Sequence, residues 1–394
     1  MTRHSCRQQP SGFLFSLVDR IGFVDAVSWD QVVADSSLFL QRDTLALLEE
    51  HGPPGMRPHY AMVHRGDEPV AALACQTVDL TADQLVSEHD VDGLTDRLKQ
   101  ATLGKLRGRT MFVGNLYCWG NHGVAFAPGE DPAELWPGIA DALYRMRRAE
   151  KLNGAIDYVL VKDLGPRLQA TAKGLRQFGY RSFETEPDMV LSLDPSWTSF
   201  DDYTAQLTAK YRRAIKKTEK GVTDAGFELR RIDDLSPHAD RLHSLYRNVQ
   251  ERAEVRLTRL TPGYLPALAE LLGPERFRCS ALVDGEKWVG FVTTLRDGDR
   301  GIGYFLGIDY EASERAPVYH RLLQQVVADA IDLGCTEISF GRTALDAKAR
   351  LGCQPRSQAT WVRHRGPVRN KLLRKLVCLF QADEAPERSP FKTS

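Results

Sequence analysis

The sequence lacks the short signatures that announce many reactions. It contains no serine nucleophile elbow, no His-Glu-x-x-His and no P-loop, which sets aside the usual α/β-hydrolases, zincins and P-loop nucleotidases. Gly301-Ile-Gly303 followed by Gly307 departs from Gly-x-Gly-x-x-Gly and falls within a strand pattern, so nothing points to a dinucleotide. The seven cysteines (Cys6, Cys75, Cys118, Cys279, Cys335, Cys353, Cys378) are scattered, without Cys-x-x-Cys or a neighbouring His pair. They read as buried thiols of a reducing compartment, and no metal site is expected. Net charge is also missing, since 52 Lys+Arg balance 52 Asp+Glu. That argues against a surface built to coat nucleic acid, so no DNA partner is expected, while local basic patches survive the balance. Long apolar runs are absent too. The run at residues 12–18 stops at Asp19 and Arg20 and has no small-residue cleavage site. It falls well short of the ~20 residues that cross a bilayer, and a cytoplasmic protein is expected.

What the chain does have is ordinary globular composition at two-domain length, with 394 residues, 42% hydrophobic and 26% charged. It also has an internal repeat. Residues 60–75 lie over residues 279–294 without a gap, placing Gly66 on Gly285 and Val70 on Val289; each copy reads as a β-hairpin. A further strand follows in each half, at 110–116 and 301–308. Next comes an amphipathic helix at 132–152 and 315–333, with apolar residues such as Leu135, Ile139, Leu143 and Leu322, Val326, Ala330 at helical spacing. Each helix stops at a glycine, Gly154 or Gly334, as a left-handed C-terminal cap requires. A buried strand (155–161, 336–340) and a short helix ending at Phe178-Gly179-Tyr180 or Leu351-Gly352-Cys353 complete each copy. The polar, proline-containing stretch 194–199 reads as the boundary.

This order of elements, closed by a helix and an aromatic-or-Leu-Gly turn, resembles the GCN5-related N-acyltransferase (GNAT) fold, and the tandem resembles its FemAB-like/BioF2-like branch. The residues carrying the resemblance are Tyr211-Arg-Arg-Ala-Ile-Lys-Lys217, Phe340-Gly-Arg-Thr-Ala-Leu-Asp-Ala-Lys348, Leu351-Gly352, Asn115-Leu-Tyr-Cys-Trp-Gly-Asn-His-Gly123 and Val161-Lys-Asp163. It implies an α/β (α+β) protein of two tandem GNAT-like domains, each a mixed central sheet flanked by helices. Residues 1–195 would form a non-catalytic first domain, 196–366 a second domain with the active site, and 367–394 a basic, amphipathic tail. It implies an N-acyltransferase that joins an acyl or aminoacyl group to an amine in cell-wall or natural-product metabolism, with no tightly bound cofactor. The donor would be aminoacyl-tRNA or an acyl thioester of CoA or a carrier protein. One departure bears on that donor. CoA-dependent enzymes of this fold place pyrophosphate on a Gly-rich turn at a helix N-terminus, whereas 309–319 and 124–132 are not Gly-rich, and Glu311 and Glu314 bring negative charge there.

The chemistry of amide formation needs a base for the ammonium proton and donors for the oxyanion. Candidates should sit late on the strands at 301–308 and 336–340. Asp309, Tyr310 and Glu311 follow the first, where a carboxylate can act as base and a tyrosine as donor; they also suit a helix cap. Arg342 and Lys348 follow the second and suit an anion or oxyanion. These five are the catalytic candidates. Tyr304, Thr343, Tyr319, Tyr246, Arg252 and His122 are the substrate-binding candidates. Lys210, Arg212, Arg213, Lys216 and Lys217 crowd one helix with a single opposing acid, Glu219, and suit a phosphorylated carrier such as tRNA. The run 363–375 holds six Lys/Arg and no acid before turning apolar, which suits the same carrier or an anionic membrane face. Peripheral placement at the inner face of the membrane, or a binding protein without turnover, are the readings this tail leaves open.

Overall fold

The computed structural model describes residues 12–81, 108–253, 258–377 and 385–392; Cys6, Cys378 and the end of the tail's apolar run lie outside them. Among the described residues thirteen strands form one sheet: β1 (Leu14–Val18), β2 (Arg57–Arg65), β3 (Glu68–Leu80), β4 (Gly108–Val113), β5 (Val124–Phe126), β6 (Tyr158–Leu164), β7 (Arg181–Ser192), β8 (Phe227–Arg231), β9 (Phe277–Asp284), β10 (Lys287–Asp297), β11 (Arg300–Ile308), β12 (Glu337–Ser339) and β13 (Gln354–His364). Their spatial order is β1-β2-β3-β4-β6-β13-β7-β12-β11-β10-β9-β8, with β5 continuing beside β3.

That order reads the same from both ends once the two halves are matched, which places a pseudo-twofold between β13 and β7. The hairpins β2–β3 and β9–β10 turn on Gly66 and Gly285, both at φ 61°; a side chain at either would be held in a left-handed conformation. The parallel pairs β4–β6 and β11–β12 correspond, as do the covering helices Pro132–Ala149 and Val318–Asp332. The first of these shortens relative to its sequence pattern because its last residues tighten into a 3-10 turn before Gly154 at φ 117°. The second starts at Val318 because Pro317 breaks it from a separate short helix, Tyr310–Arg315.

The last strand of each half crosses over. β7, which follows β6 in the chain, pairs with β12 of the second module, while β13, which follows β12, pairs with β6 of the first. β7 and β13 also pair with each other. The sheet is therefore continuous across residues 195 and 196.

The helices divide the core. Val318–Asp332 packs Leu322, Val326 and Val327 on one face of β9–β11. The helices Ala239–Glu251 and Tyr264–Leu272 cover another group of residues on these strands, where Leu38, Phe39, Tyr117 and Cys118 of the first module join them. The basic run begins in β13 and continues into the helix Pro367–Val377, which is tied down by Asn370 to His364 N and Gly179 O, at 2.9 Å each. Residues 385–392 return to the second module: Thr208 N donates to Pro390 O, and Arg388 pairs with Asp346 at 2.7 Å. Among the described residues no helix is long and apolar enough to cross a membrane.

Candidate functional site

The two strands at the centre of the second module part early. β11 and β12 are parallel and paired through Arg300↔Glu337, Gly301↔Ile338 and Ile302↔Ser339, although β11 runs on to Ile308. Parallel strands that separate leave a crevice beyond their carboxyl ends, where α/β sheets take their ligands. The chain leaves β11 for Tyr310–Arg315 and Val318–Asp332, and leaves β12 for the helix Leu345–Ala349.

A groove of about 490 Å³ lies between the start of Val318–Asp332, the end of Leu345–Ala349 and the basic helix Ala209–Asp224. Leu323, Ala347 and Leu351 give it an apolar floor; Lys210, Lys217 and Arg350 supply positive charge; Pro317, His320 and Gln324 come from the start of Val318–Asp332. Gln324 is 3% exposed and its Oε1 has no partner. A buried carbonyl without a donor is costly, so a donor on a ligand in this groove would relieve it.

On β7, Asp188 is fully buried and accepts from Ser339 Oγ (2.7 Å), Gly341 N (3.0 Å) and Arg300 Nη2 (2.5 Å). Burial pushes its carboxyl above the ordinary aspartate value even with Arg300 opposing. Lys348 is 4% exposed; its ammonium donates to Gly341 O (3.1 Å) and to Arg342 O, and burial lowers it to about 8. The carbonyls it clasps precede Thr343 and Ala344, both left-handed at φ 53° and 48°, so Lys348 fixes a turn that its sequence does not favour.

Residues 208–349 match the acetyltransferase (GNAT) domain family. Among solved structures, the fold is similar to a tandem GNAT protein from the clavulanic acid biosynthesis pathway, solved without AcCoA: 12% identity, 90% of this chain and 99% of that one, TM-score 0.53. It is likewise similar to FemX, at 11% identity over 92% of this chain and 99% of that one, TM-score 0.54. The chain is a tandem GNAT-fold protein. The two-module fold is shared with both of these structures, and no curated protein matches the sequence.

Within this GNAT frame the candidate residues fall into three groups. Lys210 and Lys217 line the groove. Lys216 is exposed beside them on the same helix, whereas the guanidinium groups of Arg212 and Arg213 bond back to Ala205 O and Ala209 O. Asp309 caps the helix Tyr310–Arg315, accepting from Glu311 N (3.1 Å) and Ala312 N (3.4 Å), and pairs with Lys287 at 2.9 Å. Burial pushes its carboxyl up, but Lys287 and the two amides outweigh that and hold it below the ordinary value. Arg252 lies 3.6 Å from the ring centroid of Tyr310, an assembly of two candidates. Glu311 is exposed in the first turn. Tyr319 is half-buried, and burial pushes its phenol up to about 12.

The third group belongs to the junction. Tyr304 is buried with its hydroxyl 2.8 Å from that of Tyr264, and Tyr246 accepts from Leu260 N at 3.4 Å. His122 shares a hydrogen bond with Trp119 O at 2.8 Å, packs 4.7 Å from Phe39, and is lowered to about 4 by burial, which keeps it neutral. Arg342 pairs with Asp163 of the first module and donates to Gln358 Oε1 at 3.2 Å; Thr343 is exposed. Sequence reasoning missed Asp188, Ser339, Arg300, Gln324 and Arg350. Ser339 and Asp188 were legible only as polar residues inside apolar strand runs, and Gln324 and Arg350 carry no local signal.

Proposed function

We propose that the protein is an N-acyltransferase whose donor lies in the groove of the second module, its acyl group directed at the parting of β11 and β12. The observation that carries this reading is the groove itself, bounded by the two helices that leave those strands and by the basic face of Ala209–Asp224. An apolar floor suits an extended acyl carrier arm, and Lys210, Lys217 and Arg350 suit its phosphate. The Asp309 cap and the acids Glu311 and Glu314 occupy the turn where a pyrophosphate would need free amides. The charge of Lys210 and Lys217 instead favours a carrier held from the opposite wall, either a thioester-bearing carrier or aminoacyl-tRNA, over free CoA.

In the reaction, a neutral amine of a small molecule, cell-wall precursor or natural-product intermediate attacks the acyl carbonyl. A C–N bond forms, the C–S or C–O bond to the carrier breaks, and the ammonium proton leaves to solvent or to the departing thiol or hydroxyl. The first module is read as non-catalytic.

The test is transfer of a radiolabelled acyl group to an amine panel from acetyl-CoA, an acylated carrier protein and aminoacyl-tRNA, with thiol release and RNase sensitivity separating the donors. Replacing Lys210 and Lys217 by Glu should lower kcat/KM for the productive donor at least about tenfold. Absence of transfer from all three donors overturns the reading.

A further inference from the structure

The two halves of the sheet differ at one place that bears on the site. In the second module β11 runs on past its pairing with β12. In the first, the corresponding strand is interrupted: β3 pairs with β4 up to Cys75↔Val113 and resumes with β5 at Leu73↔Val124. Ala74 closes the neck, its N–H donating to Gly123 O (2.9 Å) and its carbonyl accepting from Gly114 N (3.1 Å). Gly123 lies so close to the backbone of Val113 and Gly114 that no side chain fits. Residues 114–123 thus leave the strand and return at the same point.

This loop is fastened to β6. Lys162 Nζ donates to Asn115 O (2.9 Å) and Cys118 O (2.6 Å), and Gly120 N donates to Asp163 Oδ2 (3.2 Å). Its tip then crosses the pseudo-twofold. Trp119 Nε1 donates to Ser339 Oγ at 2.7 Å, and the Ser339 hydroxyl in turn donates to Asp188 at 2.7 Å. A Cβ at Gly341 would stand 2.8 Å from the Trp119 ring, so the indole rests directly on that glycine. Tyr117 OH donates to Arg259 O at 2.7 Å, gripping the other side of the junction.

We propose that the loop 114–123 plugs the first module and serves as a fixed wall of the second module's site, with Trp119 as a positioning residue for the end of β12. The inference rests on the acyl-transfer reading for its kinetic consequence, and on geometry alone for its mechanical one. The indole N–H and the ring act separately: the N–H holds Ser339 in the orientation that donates to Asp188, and the ring closes over Gly341, whose amide donates to the same carboxylate.

Both parts are tested in the full chain. Trp119→Phe keeps a ring and loses the N–H; Trp119→Ala loses both. Hydrogen exchange at the Gly341 amide should quicken at least about tenfold in Trp119→Phe, with the unfolding midpoint within a few degrees of the parent; unchanged exchange overturns the proposal. With the donor the parent enzyme consumes, Trp119→Ala should raise KM for the amine or lower kcat by about tenfold or more while leaving KM for the donor unchanged. Ser339→Ala combined with Trp119→Phe should cost no more than either alone, the signature of one relay. Additive losses, or a loss confined to stability, overturn it as well. If the parent transfers nothing, the acyl-transfer reading falls and the exchange measurement still decides whether Trp119 holds β12.

Discussion

Arg342, just past the end of β12, forms an ion pair with Asp163, near the end of the matching strand β6 in the other module. Two equivalent points of a duplicated fold therefore meet across the pseudo-twofold with opposite charge. Asp163 is buried and also takes Lys162 at 3.2 Å and Gly120 N. Burial pushes its carboxyl up, but Lys162 and Arg342 overcome that and hold it below the ordinary value. Arg342→Ala leaves the carboxylate one cation short. We expect a loss of about 2 kcal/mol in denaturant unfolding, below the ~3–5 of a wholly stranded charge because Lys162 remains. An unchanged midpoint would show that the pair contributes nothing.

Lys348 makes stability depend on alkaline pH in a definite direction. It releases its proton near pH 8 in the folded chain and near 10.5 in the unfolded one. Between those values the unfolded chain holds the extra proton, so this group's contribution is lowest below pH 8 and rises as pH climbs through the window. Measured against Lys348→Met, which cannot titrate, the parent should gain stability from pH 8 to 10.5, by at most about 3 kcal/mol. The difference between the two proteins cancels the tyrosines and cysteines that also titrate there. A flat difference would refute the assignment.

The groove predicts a salt effect. If Lys210 and Lys217 hold phosphate, donor affinity should fall with rising salt, and the slope of log affinity against log salt should flatten by roughly one to two when both become Gln. Fluorescence anisotropy with a labelled carrier measures it. A slope identical to the parent's would remove these lysines from the donor site.

The returning C-terminal residues brace both groove walls. Phe391 packs against Trp197 and Tyr203 and covers Gly352, where any side chain would collide with its ring. Lys392 and Thr208 join the two segments through Lys392 N to Gln206 O (3.0 Å) and Thr208 N to Pro390 O (2.8 Å). Phe391→Ala should cost about 2 kcal/mol, less than a fully buried phenylalanine, and donor KM should rise with it. Chemical unfolding and steady-state kinetics check both.

Much of the fold was legible because repetition is a sequence property. Gly66 and Gly285 sit at one offset in two hairpins, and Gly154 and Gly334 mark the ends of the two long helices, so the element order of each half could be read residue by residue. Which strand neighbours which could not. β7 and β13 alternate in the same way whether they close their own module or the other one, because period-two patterning specifies faces and not partners. The site was less legible for the same reason. Lys210 and Lys217 were visible as cations crowded on one helix. Asp188 and Trp119 gained their surroundings only when residues 112 to 220 positions away folded against them.

The exchange of last strands also sets an order of synthesis. β6 gains its outer neighbour only when residues 354–364 have left the ribosome, so the half that is made first is finished last. Until then β6 and β7 present unpaired backbone on what becomes the middle of the sheet, the kind of edge that recruits another chain. The two modules are thus joined in time as well as in space.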